Sequence, residues 1–225
     1  MSKRPRRFAV SMLALGASAL ALAACSQEQV NASSAAEAQT PAETVTADSE
    51  VVAVGETVAN FNLSDQNGVA HALYDYDEAD AVVLVMQGNG CPIVQKMLPT
   101  LKEVASEYSA KNVEFLMVNA FIQDNPEKIK AEDEKFAINM PILKDQSQDV
   151  SRYLGAVRTA EVYVVDPENW ELIYHGPLDD RLTYGREKAV ADNHYVRDVL
   201  DATLAGAELP HPEKLEADGC LINYV

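Results

Sequence analysis

The sequence predicts a layered α/β domain, because beyond Val51 apolar runs of strand length alternate with segments of helical periodicity. The run 81–87 (AVVLVMQ) is apolar up to its last residue, as a central strand covered on both faces requires. Gly88-Asn89-Gly90 then separates it from a stretch whose apolar residues recur at helical spacing. A hydrophobic content of 48% in 225 residues suits one such domain with appendages.

The N-terminal appendage comes first. Lys3, Arg4, Arg6 and Arg7 precede an unbroken apolar or small-residue run over 8–24, the charged-then-apolar order of an export signal. The run is short and Ala-rich for a membrane span. It ends in Leu22-Ala23-Ala24-Cys25, which resembles the lipobox of bacterial lipoproteins. That resemblance implies cleavage of residues 1–24, acylation of Cys25 and, with Ser26 next, delivery to the outer membrane facing the periplasm. An ordinary secretory signal with a cysteine at the junction is the alternative. Residues 25–50 are dominated by Ala, Ser, Thr, Gln and Glu and read as a flexible tether. Losing residues 1–24 removes four of 18 basic residues and no acidic one, leaving 14 against 35, so the net charge moves from −17 to −21. So acidic a chain excludes nucleic acid as an expected partner.

The domain is placed over 51–205, with a tail over 206–225. Residues 58–63 read as a first strand, followed by the turn signal Gln66-Asn67-Gly68. The run 81–87 is the central strand. From Pro92, suited to N1 of a helix, Ile93, Met97, Leu101, Val104 and Tyr108 share one helical face, and Pro99 predicts a kink. Residues 113–121 form another buried-looking strand, 126–138 a charged amphipathic helix and 148–155 a short helix. Two strands, 162–166 and 172–175, are joined across 167–171, with Trp170 packing at the hairpin. A helix over 193–204 closes the domain.

This order delivers Cys91 to the end of a buried strand and the start of a helix. Unpaired amides and the positive end of the helix dipole favour thiolate there, lowering a thiol pKa of about 8.5. The position therefore suits a nucleophile; the alternative is a buried structural cysteine.

Several stretches resemble the redoxin domains of the thioredoxin and peroxiredoxin superfamily, over about residues 52–205. Cys91-Pro92 through Pro99 is similar to the thioredoxin active-site helix, and Asn89-Gly90-Cys91-Pro92-Ile93-Val94 to a peroxiredoxin-like subgroup. Residues 157–166, beginning Val157-Arg158-Thr159-Ala160-Glu161, together with Tyr174-His175-Gly176, Asp179-Asp180-Arg181 and the Gly219-Cys220 ending, also match that subgroup. The resemblance implies a thioredoxin fold, a central mixed β-sheet flanked by helices. It implies Cys91 as nucleophile, an active-site loop of Gly88, Asn89, Gly90 and Pro92 facing Arg158, Thr159, Ala160 and Glu161, and Cys220 as the candidate to resolve an oxidised Cys91. Gly219 before Cys220 allows an unusual backbone angle, and Leu221, Ile222 and Tyr224 are available to anchor the tail on apolar surface. A bridge between the cysteines is either permanent or cycling at this level.

Three positions depart from the family pattern. Val94 stands where thioredoxins carry a second cysteine, so no local disulfide forms. Gly88 replaces the Thr or Ser of peroxiredoxins, so slow peroxide reduction is expected. Ala160 replaces a proline expected to be cis, and is expected trans, since a non-proline cis peptide costs about 2.5–4 kcal/mol.

Arg158 suits either thiolate stabilisation, a substrate carboxylate or pairing with a surface acid. Asp179 and Asp180 suit turn and cap chemistry. His71, His175, His194 and His211 lack ligand spacing, so no metal is expected, and no cofactor is implied. The expected function is a lipid-anchored envelope thiol oxidoreductase, exchanging disulfides or slowly reducing peroxide, with an extracytoplasmic dithiol protein as reductant. The alternative is a non-catalytic binding or assembly module stapled by Cys91 and Cys220.

Overall fold

The computed structural model describes residues 44–211 and 213–225. The expected signal segment, Cys25 and most of the expected tether lie outside the described residues. The elements run β1 (Asn62–Ser64), β2 (Ala70–Ala72), a 3-10 turn (Leu73–Tyr76), β3 (Ala81–Gln87), α1 (Pro92–Ser109), β4 (Val113–Asn119), α2 (Pro126–Phe136), β5 (Ile142–Lys144), α3 (Asp149–Tyr153), β6 (Val162–Asp166), β7 (Glu171–Gly176), β8 (Leu182–Thr183), β9 (Arg186–Glu187) and α4 (Tyr195–Ala205). Strands β1 to β7 form one mixed sheet in the order β2-β1-β5-β4-β3-β6-β7, and β8 pairs with β9 as a separate hairpin.

The apolar run at β3 accounts for the centre of this sheet. Every residue of β3 is buried. It pairs parallel to β4, with Leu84 opposite Leu116, and antiparallel to β6, with Leu84 opposite Tyr163. The pleat sends Ala81, Val83 and Val85 into one layer with residues of α1, α2 and α4, and Val82, Leu84 and Met86 into the other with α3 and the 3-10 turn. Parallel neighbours need a crossover, which α1 supplies between β3 and β4 and α2 between β4 and β5. Trp170 sits with positive φ at the β6–β7 turn and stacks on Tyr74 at 4.2 Å between ring centroids.

The sequence-based boundaries change in places, for identifiable reasons. The first strand begins at Asn62 rather than at residue 58, because Val58 and Phe61 fill the core from a segment without a continuous ladder. Helix α2 stops at Phe136: Ala137 turns left-handed at φ 47°, and Ile138 leaves the helix to enter the core. Pro99 lies inside α1 without ending it. Strands β2, β5, β8 and β9, of two or three residues each, have no apolar run long enough to be read from sequence. Among the described residues no helix is long and apolar enough to cross a membrane.

Candidate active site around Cys91 and Cys220

Strand β3 ends at Gln87, and Gly90, at φ 75°, turns the chain so that Cys91 caps α1 with Pro92 in the first turn. A buried polar network fixes this loop from below. Asn119 donates to Gln87 Oε1 (2.6 Å) and to Asp124 Oδ2 (2.9 Å), Gln87 donates to Asn89 Oδ1 (2.9 Å), and Asn89 N–H donates to Asp124 Oδ2 (3.0 Å). Gly90 N–H donates to Glu132 Oε1 at 3.1 Å. Of this set Asn89 and Gly90 were recognisable in the sequence as loop residues, while Asn119, Asp124 and Glu132 were not, since they arrive from β4, its following loop and α2.

Cys91 is 2% exposed, beneath the C-terminal tail. The loop preceding β6 faces it and carries the tail along its edge. Thr159 N–H donates to the Cys220 carbonyl (2.9 Å), Arg158 bridges Leu221 in antiparallel register, and Ile222 N–H donates to the Val157 carbonyl (3.0 Å). Cys220 N–H donates to Thr159 Oγ1 at 2.9 Å, and the same oxygen lies 3.0 Å from Cys91 Sγ. Thr159, fully buried, thus joins the two cysteine positions. Farther along, Gln148 takes the Val225 N–H and donates to the Asn223 carbonyl, while the Tyr224 hydroxyl donates to the Ala156 carbonyl at 2.6 Å.

The electrostatics separate the two sulfurs. Burial pushes the Cys91 thiol up, but the Cys220 thiol beside it, the Thr159 hydroxyl and the amides of Val94 and Cys220 outweigh this and hold it below the ordinary thiol value. Burial and the neighbouring Cys91 push Cys220 up to about 11. Of the pair, Cys91 is therefore the more acidic thiol and Cys220 the less acidic. Both cysteines are unbridged.

The other expected residues divide: Arg158, Gly219 and Leu221 take parts the sequence did not single out, while Ala160, Asp179 and Asp180 behave as expected. Arg158 donates to the Tyr184 hydroxyl (2.8 Å) and the Gly219 carbonyl (3.3 Å), so it grips the tail. Gly219 serves close approach rather than an unusual backbone angle: its φ lies outside the left-handed range, and a Cβ there would fall 1.8 Å from the Thr159 carbonyl oxygen. Leu221 is 56% exposed, leaving Ile222 and Tyr224 to anchor the tail. Ala160 is preceded by a trans peptide bond and is left-handed at φ 65°. At Gly88 the space is filled, with the Phe121 ring 2.7 Å from where a Cβ would be. Asp179 accepts the Arg181 N–H (2.9 Å), and Asp180 pairs with Lys188 (2.7 Å) and caps Asp192 and Asn193, as turn chemistry predicts.

Residues 54–170, just over half of the chain, match the AhpC/TSA family. The chain belongs to this family. Among curated relatives, thiol-disulfide oxidoreductase ResA of Geobacillus thermodenitrificans is 30% identical over 115 residues, 51% of this chain and 64% of the relative. ResA of Geobacillus kaustophilus matches to the same extent. The chain thus spans just under two thirds of the length of these curated relatives. Among solved structures, a hypothetical protein of Sinorhizobium meliloti 1021 superposes with a TM-score of 0.69 at 27% identity, covering 79% of this chain and 97% of that one. An uncharacterized conserved protein of Geobacillus kaustophilus gives 0.67 at 28% identity, covering 76% and 92%. Peroxidoxin BcpB of Mycobacterium tuberculosis shares the fold, with a TM-score of 0.52 at 20% identity over 70% and 99% of the two chains. The architecture is therefore the thioredoxin fold of an AhpC/TSA redoxin domain, related to thiol-disulfide oxidoreductases.

Proposed function

We propose that this protein is a lipid-anchored thiol oxidoreductase of the cell envelope in which Cys91 attacks and Cys220 resolves. The observation that carries this reading is the shared Thr159 hydroxyl, 3.0 Å from Cys91 Sγ and 2.9 Å from the Cys220 amide, which brings two free cysteines of opposite acidity together. The Cys91 thiolate attacks one sulfur of a substrate disulfide, forming a mixed disulfide and expelling the other sulfur as a thiolate that takes up a proton. Cys91 then carries no charge, which removes one cause of the high Cys220 pKa. Cys220 loses its proton and attacks Cys91 Sγ, releasing the second substrate thiol and leaving a Cys91–Cys220 disulfide. The two electrons gained by the substrate come from the cysteine pair, and an extracytoplasmic dithiol protein restores them.

Peroxide is a slower substrate for the same atoms. Thiolate attack on a peroxide oxygen expels alkoxide or hydroxide and leaves sulfenic acid, which condenses with the Cys220 thiol and releases water. Phe121 against Gly88 occupies the place of a hydroxyl that would steady the peroxide. The export signal and Cys25 support the anchor, which Cys25→Ser should abolish, releasing the domain from membranes.

The deciding experiment follows alkylation of Cys91 in the reduced protein against pH, together with reduction of a disulfide-bonded test peptide by a dithiol. The expected result is a midpoint clearly below the ordinary thiol value of about 8.5, with turnover lost in Cys91→Ser and impaired in Cys220→Ser. A midpoint at or above that value without turnover overturns the enzyme in favour of a stapled binding module.

A further inference from the structure

Outside the sulfur pair, the most fully engaged buried acid is Glu161, 3% exposed. Its Oε1 accepts the amides of Val157 (2.9 Å) and Arg158 (2.7 Å). Its Oε2 accepts the Tyr163 hydroxyl (2.9 Å) and lies 2.7 Å from His175 Nε2. His175 is 4% exposed and its ring lies 4.1 Å from that of Tyr163. Tyr224 is the remaining titratable neighbour, its hydroxyl held by the Ala156 carbonyl. A carboxylate so deep is costly unless fully paired. Burial pushes its pKa up, but His175, the Val157 amide and the Tyr163 hydroxyl hold it below the ordinary carboxylate value.

What this carboxylate shapes is the segment that touches the sulfurs. By accepting from residues three and four positions earlier, Glu161 closes 157–161 into a tight loop with Ala160 left-handed at φ 65°. The Ala160 N–H donates to the Met86 carbonyl of β3 at 2.7 Å, and the Glu161 carbonyl accepts the Met86 N–H at 2.8 Å, which locks the loop to the strand leading to Cys91. In that shape the Thr159 N–H, the Thr159 hydroxyl and the Val157 carbonyl all face the tail or the sulfur.

We propose that Glu161, backed by His175, is a positioning residue for Cys91 chemistry: its carboxylate folds residues 157–161 so that Thr159 meets both cysteines and the loop edge receives the tail. Glu161 acts through Thr159. The inference rests on Cys91 being the nucleophile.

The test compares Glu161→Ala, Glu161→Gln, Thr159→Val and the double variant Glu161→Ala/Thr159→Val as folded, reduced proteins. Two readings are taken: the pH midpoint of Cys91 alkylation, and the rate at which one equivalent of diamide closes the Cys91–Cys220 disulfide. Glu161→Ala is expected to raise the midpoint and slow closure by about tenfold or more, as misplacement of a positioned group does. Thr159→Val does the same, and the double variant goes no further than the larger single effect, because one acts through the other. Glu161→Gln keeps an oxygen for both amides and is expected to hold closure within about threefold of the original rate. Wild-type readings in folded Glu161→Ala, or full additivity with Thr159→Val, overturn the proposal. Should Glu161→Ala not fold, His175→Asn takes its place in the same cycle, with the same readings counting for and against. An ordinary midpoint in the unsubstituted protein would instead sink the nucleophile reading, a result separable from these differences between variants.

Discussion

Ala160 occupies a conformation that a proline cannot. Its φ of 65° opposes the proline ring, and its N–H is committed to the Met86 carbonyl at 2.7 Å. Restoring the residue usual in the related subgroup, Ala160→Pro, is therefore expected to destabilise the fold by about 3 kcal/mol or more. Urea denaturation of the two proteins checks this, and equal midpoints would show that the loop can refold around proline. Residues of this kind mark how far a sequence can be read. Cys91 was legible because a strand end followed by Pro92 at a helix start leaves a local pattern. The missing hydroxyl at Gly88 was legible too, but not Phe121, which fills its place. Glu161 and His175, 14 positions apart, meet only because β6 and β7 pair, and no local periodicity announces such a contact.

At the scale of elements, legibility followed burial. β3, β4, α1 and α4 carry continuous or periodic apolar faces and lie within a few residues of where the pattern puts them. β2 and β5 are held by their neighbours in the sheet rather than by their own composition, so they left no signal. The tail belongs between these cases. Its Gly219-Cys220 ending was visible, yet its path depends on backbone bonds to Val157 and Thr159 and on Gln148 from the turn before α3. Gly219→Ala tests that path, because the added carbon would lie 1.8 Å from the Thr159 carbonyl oxygen and the backbone must part there. The expected result is a Cys91 that reacts faster with bulky maleimides while disulfide closure slows, since cover and resolving thiol leave together. Unchanged maleimide reactivity would mean that the tail does not cover the sulfur in solution.

Across the whole molecule, charge and fold divide the work. A net charge of −17 over the full chain sets solubility and repels anionic partners within a Debye length of about 8 Å, without specifying any fold. The thioredoxin fold supplies a helix start and a facing loop, and the C-terminal residues lie between that loop and solvent. Cys91 at 2% exposure is consequently out of reach of a folded partner until the tail lifts. The tail is fastened by a limited set of bonds, so lifting is a local opening with a rate of its own. Reduced protein mixed with increasing concentrations of a protein disulfide should then approach a plateau in observed rate. Chemically different protein disulfides should share that plateau, whereas a small disulfide able to slip beneath the tail should exceed it. Stopped-flow traces rising linearly without saturation would show that the tail opens faster than any partner can arrive. If the plateau is found, the final residues of the chain act as a clock that partner concentration cannot hurry.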